Sequence, residues 1–160
     1  MERTTLASPI GPLDLTVVDG AVARLVFVDD PVAGAGERPA PVDAGTTAVV
    51  AALEAYFAGR IDALDEVRVA SVGTPFQQAV WSALRRIPPG ATVSYAQLAA
   101  VVERPRAVRA VGQANGRNPV AVIVPCHRVV RHDGTIGGYA GGLDRKRWLL
   151  DHERRHGGAA

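Results

Sequence analysis

The chain has 160 residues, 48% of them apolar, and a formal net charge of +2. This composition excludes a disordered chain, and the length allows one domain or two small ones. A single cysteine excludes an internal disulfide framework. No apolar run reaches the ~18 residues of a membrane helix, and the first residues lack the apolar core of a signal peptide, so we expect a cytoplasmic protein.

The small net charge is the sum of two unlike halves. Residues 1–73 carry 5 basic and 11 acidic side chains, whereas residues 74–160 carry 13 basic and 5 acidic ones. This split predicts a polyanionic partner for the second half alone. Lys146 is the only Lys, and every other cation is Arg, which is suited to bidentate phosphate contacts.

The start of the chain predicts a β-hairpin and a loop. Residues 13–18 and 21–28 are β-prone runs separated by Asp19 and Gly20. This pair is typical of a type I′ hairpin turn, because both central positions need positive φ. Residues 31–45 are rich in Pro, Gly and Ala and predict a long surface loop.

The rest of the first half predicts one helix and one short strand. Apolar residues recur at helical spacing over 46–58, and Gly59 ends the pattern. Residues 66–72 are a candidate strand. Nothing in this half points to chemistry, and the composition changes near residue 73.

A capped helix opens the second half. Thr74 can cap it, Pro75 suits its first position, and Gln77 completes a capping box with Thr74. The helix is predicted to run to about Ile87, where two prolines and a glycine end it.

Two shorter helices follow. Ser94 and Gln97 form a second capping box, which opens a helix through about Val102. A break at 103–105 separates it from a third predicted helix at 106–115. Two short helices joined by a tight turn are typical of a helix-turn-helix.

The last part of the chain mixes an apolar run with turns. Residues 120–124 predict a buried strand or extended segment, which leads into the sequence Pro-Cys-His-Arg at 125–128. Residues 133–134 predict a turn, and four glycines fall within 137–142. Asp144 can cap a final helix.

Cys126 is the candidate nucleophile. A thiol reacts as the thiolate, so Cys126 needs a basic or cationic neighbour. His127 is adjacent, but neighbouring side chains on an extended segment point to opposite sides. The pair therefore requires a sharp backbone turn, which Pro125 favours. The alternative is a buried structural cysteine, and these residues alone leave both interpretations open.

Five blocks of the second half occur in the order and spacing of a known family. They are Ser94-Tyr95, Arg106-Ala107-Val108-Arg109-Ala110-Val111-Gly112, Gly116-Arg117-Asn118-Pro119, Pro125-Cys126-His127-Arg128-Val129-Val130 and Tyr139-Ala140-Gly141-Gly142-Leu143. In these blocks the chain resembles the O6-alkylguanine–DNA alkyltransferases, also called methylated-DNA–protein-cysteine methyltransferases. The resemblance covers about residues 74–153, and in the first half it is limited to residues 8–13.

The resemblance implies DNA repair by direct, irreversible and stoichiometric alkyl transfer to Cys126 from O6 of guanine, and also from O4 of thymine. It implies no cofactor. The implied base chain runs from Cys126 through an ordered water and His127 to Glu153. Tyr95 is the implied proton donor to the purine, and Asn118 stabilises the turn before the active site. From the residues alone, a solvated carboxylate at Glu153 and a packing role for Tyr95 stay open.

The resemblance also implies that the protein binds double-stranded DNA through the minor groove. The target nucleotide is flipped out, and Arg109 occupies the space that it leaves. Small residues give the third helix a smooth face, which suits an approach that ignores base sequence. These residues are Ala107, Ala110 and Gly112. The candidate phosphate contacts are Arg104, Arg106, Arg117, Arg128 and Arg131.

The implied alkyl pocket has Val129, Tyr139 and Ala140 in its walls. Family members often carry serine where this chain has Ala140, so a side-chain hydroxyl contact is lost there. His152 and His156 have i,i+4 spacing, but no second cysteine is present for a cysteine-containing zinc site. We therefore predict no metal site and a solvated tail around these histidines.

The predicted fold is α/β (α+β). Residues 1–72 are expected to form a small sheet-plus-helix domain, which the resemblance compares with ribonuclease H. Residues 74–160 are expected to form a mostly helical DNA-binding and alkyl-acceptor domain with a winged-helix-like helix-turn-helix. The expected partner is double-stranded DNA carrying O6-alkylguanine, with no membrane contact. We expect a monomer in solution and leave open cooperative binding on DNA.

Three other functions are alternatives. A non-catalytic sensor of alkylated bases would lack the reactive cysteine, and Cys126 argues against it. A helix-turn-helix regulator would need base-reading side chains on its recognition helix, and the smooth third helix argues against that. A cysteine hydrolase would need an oxyanion hole, for which the sequence offers no support.

Overall fold

The computed structural model describes residues 1–29 and 42–157. The chain divides into two compact units. The first contains Met1–Ser71 together with Pro119–Ala121, and the second contains Val72–Asn118 and the residues from Val122 onward. Pro119–Ala121 thus belong to the first unit although they lie well beyond residue 73 in the sequence. The predicted single boundary near residue 73 does not account for them.

The first unit contains an antiparallel three-stranded sheet in the order β1-β2-β3. Its strands are β1 (Glu2–Leu6), β2 (Leu13–Val18) and β3 (Ala21–Phe27). The predicted hairpin is confirmed, because Val18 pairs with Ala21 and the two residues between them have positive φ, 50° at Asp19 and 78° at Gly20. Strand β1 was not predicted, because its side chains are mostly polar and only Leu6 is buried.

Helix α1 (Ala44–Phe57) begins two residues earlier than predicted. Its N-cap is Asp43, whose carboxylate accepts a 2.7 Å hydrogen bond from the backbone N–H of Thr46. Leu53 and Tyr56 are fully buried on its inner face. The predicted loop at 31–45 lies mostly outside the described residues.

Two predicted strands are absent from the described residues. Over 66–72 the chain makes one bridge, in which Val22 of β3 pairs with Val69. The apolar run at 120–124 likewise makes one bridge, between Val120 and Leu25 of β3, and then turns. Val122 has φ 68°, a left-handed conformation that a β-branched residue rarely adopts and that no strand allows. These two predictions were therefore wrong.

Four helices and a small parallel ladder form the second unit. They are α2 (Pro75–Leu84), β4 (Val93–Ser94), α3 (Tyr95–Val101), α4 (Val108–Gly116), β5 (Val129–Val130) and α5 (Leu143–His156). Both predicted capping boxes are confirmed, with Thr74 and Gln77 at the start of α2 and Ser94 and Gln97 at the start of α3. Among residues 1–29 and 42–157, none of the helices combines the length and apolar character needed to span a membrane.

The starts of α4 and α5 differ from the prediction. Helix α4 begins at Val108, after Ala107 in the N-cap position, so Arg109 lies in its first turn rather than in its middle. Helix α5 is preceded by Gly142, whose φ of 96° suits glycine, and Asp144 lies in the first turn without capping it. Neither start has a side-chain cap, the signal that located α2 and α3.

Candidate active site around Cys126

The backbone turns sharply at Pro125. Pro125 has φ −83° and ψ 64°, and the N–H of Cys126 donates a 2.8 Å bond to the carbonyl of Val124, which is an inverse γ-turn. A single 3-10 turn, Cys126–Arg128, follows at once. Cys126 and His127 therefore do not lie on an extended segment, and the turn that the pair requires is present.

Asn118 stabilises this turn from outside. Its Nδ2 donates a 2.7 Å hydrogen bond to the carbonyl of Val124, the residue that begins the γ-turn. Burial raises the pKa of the Cys126 thiol, whereas a hydrogen bond from Asn118 and the charge of Lys146 act in the opposite direction. Because the thiol is only 7% exposed and burial dominates, it needs a base in order to ionise.

His127 and Glu153 form a fully buried pair. Nε2 of His127 lies 2.9 Å from Oε2 of Glu153. Nδ1 of the same ring is buried without a hydrogen-bond partner among the described residues. The alternative of a solvated carboxylate at the end of α5 is excluded, because Glu153 is completely buried.

The pKa shifts of this pair keep the carboxyl charged and the ring neutral. Burial alone would raise the pKa of Glu153, but hydrogen bonds and charge from Arg128 and His127 outweigh it and hold that pKa far below its ordinary value. Burial lowers the pKa of His127, and the positive charges of Arg128 and Lys146 add to this against the opposing effect of Glu153. An ionised Glu153 can only accept a hydrogen bond, so the proton of neutral His127 resides on Nε2.

Arg128 does not lie where the sequence analysis expected it. It was a candidate phosphate contact, but its side chain is buried and donates to Glu153 through Nε at 2.8 Å and Nη2 at 2.7 Å. Its Nη1 donates to the carbonyl of Ile87 at 2.6 Å. The prediction was wrong because an Arg next to a basic surface looks the same in sequence as an Arg that pairs with a distant carboxylate.

Lys146 is a site residue that the sequence analysis missed. It is completely buried, and its Nζ donates to the carbonyls of Val129 at 2.7 Å and Gly138 at 3.0 Å. Burial lowers its pKa to about 8, opposed by the charge of Cys126. A signal was available, since the only lysine stands at helical spacing from Leu149 and Glu153 and all three are buried on one face of α5.

Tyr95 reaches the same site from the start of α3. The parallel ladder pairs Ser94 of β4 with Val130 of β5 and so holds the start of α3 beside the active-site turn. Burial raises the pKa of Tyr95, and the charge of Cys126 acts in the same direction. A Cβ built on Gly137 would lie 3.3 Å from the Tyr95 hydroxyl, so a glycine there gives the phenol room.

Two of the three predicted pocket residues have buried side-chain atoms. Val129 is fully buried directly after the reactive turn. The Tyr139 hydroxyl is buried with no hydrogen-bond partner among the described residues, and burial together with the charge of Cys126 raises its pKa well above the ordinary value. Ala140 is exposed, in a turn closed by the bond from the N–H of Gly142 to the carbonyl of Tyr139.

The helix-turn-helix and the residues next to it present exposed arginines and small side chains. The exposed arginines are Arg104, Arg106, Arg109, Arg117 and Arg131. The small residues beside them are Ala107, which is partly buried, Ala110, which is exposed, and Gly112, which is partly buried. A cleft of about 340 Å³ lies next to this surface and is lined by Tyr95, Ala96, Val108, Gly112, Arg131 and His132.

Of the two C-terminal histidines, His152 is buried and His156 is exposed. His152 is buried and stacks on Trp148 with ring centroids 4.6 Å apart, and His156 follows it at the same distance. The expectation of a solvated tail was therefore wrong for His152. Within residues 1–29 and 42–157, no group of three or more His, Cys, Asp or Glu side chains is arranged to hold a metal ion.

The chain is similar to known proteins over both units. The family described as 6-O-methylguanine DNA methyltransferase, DNA binding domain, matches residues 75–155. The methylated-DNA–protein-cysteine methyltransferase of Salmonella typhimurium is 57% identical over 98 residues, which are 61% of this chain and 57% of that relative. The corresponding protein of Mycolicibacterium paratuberculosis is 43% identical over 100% of this chain and 96% of its own length.

A solved structure agrees with these sequence relatives. The crystal structure of Mycobacterium tuberculosis OGT in complex with DNA superimposes with a TM-score of 0.83 at 40% identity, over 98% of this chain and 94% of that one. The fold is accordingly the mixed α/β arrangement of that structure, with a small antiparallel sheet and several helices. This chain therefore belongs to the methylated-DNA–protein-cysteine methyltransferase family.

Proposed function

We propose that this chain repairs alkylated DNA by transferring an alkyl group from O6 of guanine to the thiol of Cys126. One observation carries the proposal: Glu153 bonds to Nε2 of buried His127, and Nδ1 of that ring has no partner among the described residues. The arrangement provides a base beside the only thiol of the chain. Family membership supports the same chemistry, since the relatives are named for methyl transfer from DNA to a protein cysteine.

The base chain supplies the thiolate. Glu153 keeps the proton of His127 on Nε2, so Nδ1 is free to accept another one. The lowered pKa of His127 keeps the ring neutral near neutral pH, which a general base requires. Because burial raises the pKa of Cys126, the thiolate forms when its proton passes to His127. We place one ordered water between Cys126 and Nδ1 as the relay.

In the transfer step the S–C bond forms while the C–O6 bond breaks, and the electron pair of the broken bond stays with guanine. The proton of Cys126 has moved to His127. The guanine anion takes a proton from the hydroxyl of Tyr95, which regains one from solvent, while His127 releases to solvent the proton that it took from Cys126. The products are an S-alkylcysteine and normal guanine, so each molecule reacts once and the step consumes no cofactor.

The residues around the thiol would hold the base in line for displacement. In this proposal Val129 and Tyr139 form walls of the alkyl pocket, and Val129 and the Tyr139 hydroxyl are buried. Asn118 would keep the reactive turn in place through its hydrogen bond to the carbonyl of Val124. Ala140 offers only its backbone groups to the base. O4 of thymine carries the same kind of alkyl–oxygen bond on a smaller ring, and we propose it as a second substrate.

We also propose that helices α3 and α4 dock in the minor groove of double-stranded DNA. Arg109 is exposed in the first turn of α4, between the small residues Ala107 and Ala110. It would fill the space left by the flipped nucleotide, whose extrusion costs a few kcal/mol. Arg106 and Arg117 are exposed and available to phosphates. The relative crystallised with DNA supports DNA as the ligand.

The proposed domain assignment places DNA binding and alkyl transfer in the second half of the chain. Residues 1–72 would be a ribonuclease-H-like domain, and residues 74–160 a winged-helix-like domain that binds DNA and accepts the alkyl group, with the protein acting as a monomer. The β4–β5 ladder next to the helix-turn-helix supports the second assignment. The three-stranded sheet and α1 support the first.

Intact-mass measurement tests the proposed transfer. The protein is incubated with duplex DNA that carries one O6-methylguanine and, in parallel, with the undamaged duplex. We expect a mass increase of one methylene unit on the first duplex only, located on Cys126 by peptide mapping and absent in Cys126→Ala. Binding of the damaged duplex without any mass increase would overturn the proposal in favour of a non-catalytic sensor.

A further inference from the structure

The guanidinium of Arg128 is hydrogen-bonded to the carboxylate of Glu153, and its side chain is buried rather than presented to a DNA phosphate. Two of its nitrogens donate to the two oxygens of Glu153 in a bidentate arrangement, and the third donates to Ile87. Its side chain is 8% exposed, and that of Glu153 is 1% exposed. Oε2 of Glu153 accepts from both Arg128 and His127, so the three side chains form one connected group.

We propose that Arg128 is a positioning residue that holds Glu153 ionised and selects the form of His127 protonated on Nε2. The inference rests on the proposed transfer to Cys126 and adds a member to its base chain. Arg128 touches neither the thiol nor the alkylated base in this assignment. It acts on the reaction only through Glu153 and His127.

The bidentate geometry fixes the orientation of the carboxylate. A guanidinium that bonds both oxygens prevents the carboxylate from rotating about its terminal torsion, which a single point charge does not. Ile87 lies just beyond the end of α2, whereas Glu153 is on α5. Arg128 therefore connects the carboxylate of Glu153 on α5 to the carbonyl of Ile87 after α2. These two contacts fix the position of the carboxylate oxygen that bonds to His127.

The charge of Arg128 opposes both unproductive protonation states. A buried carboxylate without a cationic partner tends to become protonated, and a protonated Glu153 could donate to Nε2. The ring proton would then reside on Nδ1, which blocks the base. Conversely, an ionised Glu153 without Arg128 would stabilise the imidazolium form of His127. The charged groups that act on this ring are Glu153, Arg128 and Lys146, and the titratable Cys126 precedes it in the sequence.

The test combines nuclear magnetic resonance with single-turnover kinetics. Full-length wild type, Arg128→Met and Arg128→Lys are compared with Arg154→Met, the matched control. Arg154 is an exposed arginine on the same helix as Glu153, paired with Asp151, and has no place in the proposed machinery. Nitrogen shifts report the tautomer of His127, and carboxyl carbon shifts report the ionisation of Glu153. Methyl transfer is timed across pH with duplex DNA and with the free O6-methylguanine base.

In wild type and Arg154→Met we expect the proton of His127 on Nε2 and an ionised Glu153 down to mildly acidic pH. In Arg128→Met we expect a mixture of ring forms and transfer slowed roughly 10²-fold, the contribution of a general base. The loss should be equal on duplex and free base, and the pH profile should shift. Arg128→Lys keeps the positive charge but loses the bidentate contact. We therefore expect its rate of transfer to lie between those of wild type and Arg128→Met.

Three results would overturn the inference. If the transfer rate falls only on duplex DNA, and DNA binding depends less steeply on salt, Arg128 is a phosphate contact after all. Unchanged ring signals and an unchanged pH profile in a slower variant would assign it a purely structural role. If the variants do not fold, a Glu153 in wild type that titrates at its ordinary pKa decides against the proposal. If wild type itself transfers no methyl group, the proposed function fails, while these signals still decide the role of Arg128.

Discussion

The Nζ atom of Lys146 donates a hydrogen bond of 2.7 Å to the carbonyl oxygen of Val129. A second bond of 3.0 Å to Gly138 makes one buried ammonium the link between the reactive turn and the glycine-rich loop. Lys146 and Cys126 also alter each other's pKa, since the cation lowers the pKa of the thiol and the thiolate raises that of the amine. The only lysine of the chain is thus part of the electrostatic environment of the nucleophile.

Replacing this lysine should make the thiolate harder to form. Lys146→Met keeps the length of the side chain but removes the charge that lowers the pKa of Cys126. We expect the ultraviolet thiolate titration of the single cysteine to move to higher pH and methyl transfer near neutral pH to slow roughly tenfold, the effect of about one pKa unit. Arg147→Met, an exposed arginine on the same helix, is the control. An unchanged thiolate titration contradicts the assignment.

Gly137 and Gly134 form a matched pair for testing the position of Tyr95. Both have positive φ, 71° and 84°, so alanine at either is strained by roughly 1–2 kcal/mol. Only at Gly137 would the new Cβ crowd the Tyr95 hydroxyl, at 3.3 Å. We expect both variants to lose similar stability in urea denaturation and only Gly137→Ala to slow methyl transfer. Equal transfer rates in the two variants would count against the proposed role of Tyr95.

Arg109→Ala separates base flipping from chemistry. Arg109 is exposed in the first turn of α4, and it has no part in the proposed proton relay. Since extrusion of a nucleotide costs a few kcal/mol, we expect transfer from duplex DNA to slow by roughly tenfold or more and transfer from the free base to stay unchanged. Arg86→Ala, an exposed arginine outside the helix-turn-helix, should leave both rates unchanged. Equal losses of rate on duplex DNA and on the free base would contradict the proposal that Arg109 fills the space left by the flipped nucleotide.

Glu153 should link stability to acidic pH. Its folded-state pKa lies below the ordinary value of 4.5, so its contribution is fully present above that pH and is lost as pH falls toward the folded-state pKa. Glu153→Gln leaves Arg128 without its charged partner and should cost about 3 kcal/mol or more near neutral pH. We expect the difference from wild type in urea denaturation to shrink below about pH 4.5. Asp144→Asn, an exposed carboxylate on the same helix, is the control. A difference independent of pH would contradict the buried ion pair.

Local patterns predicted the elements whose causes are local. The two capping boxes and the Asp19-Gly20 turn involve residues at most three positions apart, so the sequence contains their whole interaction. Strand β1 escaped prediction because its residues are mostly polar and it is defined by pairing with β2. The run at 120–124 was wrong as a strand because apolar composition predicts burial but not backbone conformation.

The sequence by itself was enough to predict the family, the capped helices and the basic character of the second half, and it offered Cys126 as the candidate nucleophile. Only the tertiary structure decided that Arg128 and Lys146 are buried within the candidate active site. Their partners lie 25 and 17 residues away, at Glu153 and Val129. A buried charge is tolerated only where a partner is placed to bond it. That placement depends on how α5 packs against the reactive turn, and no local pattern in the chain contains it.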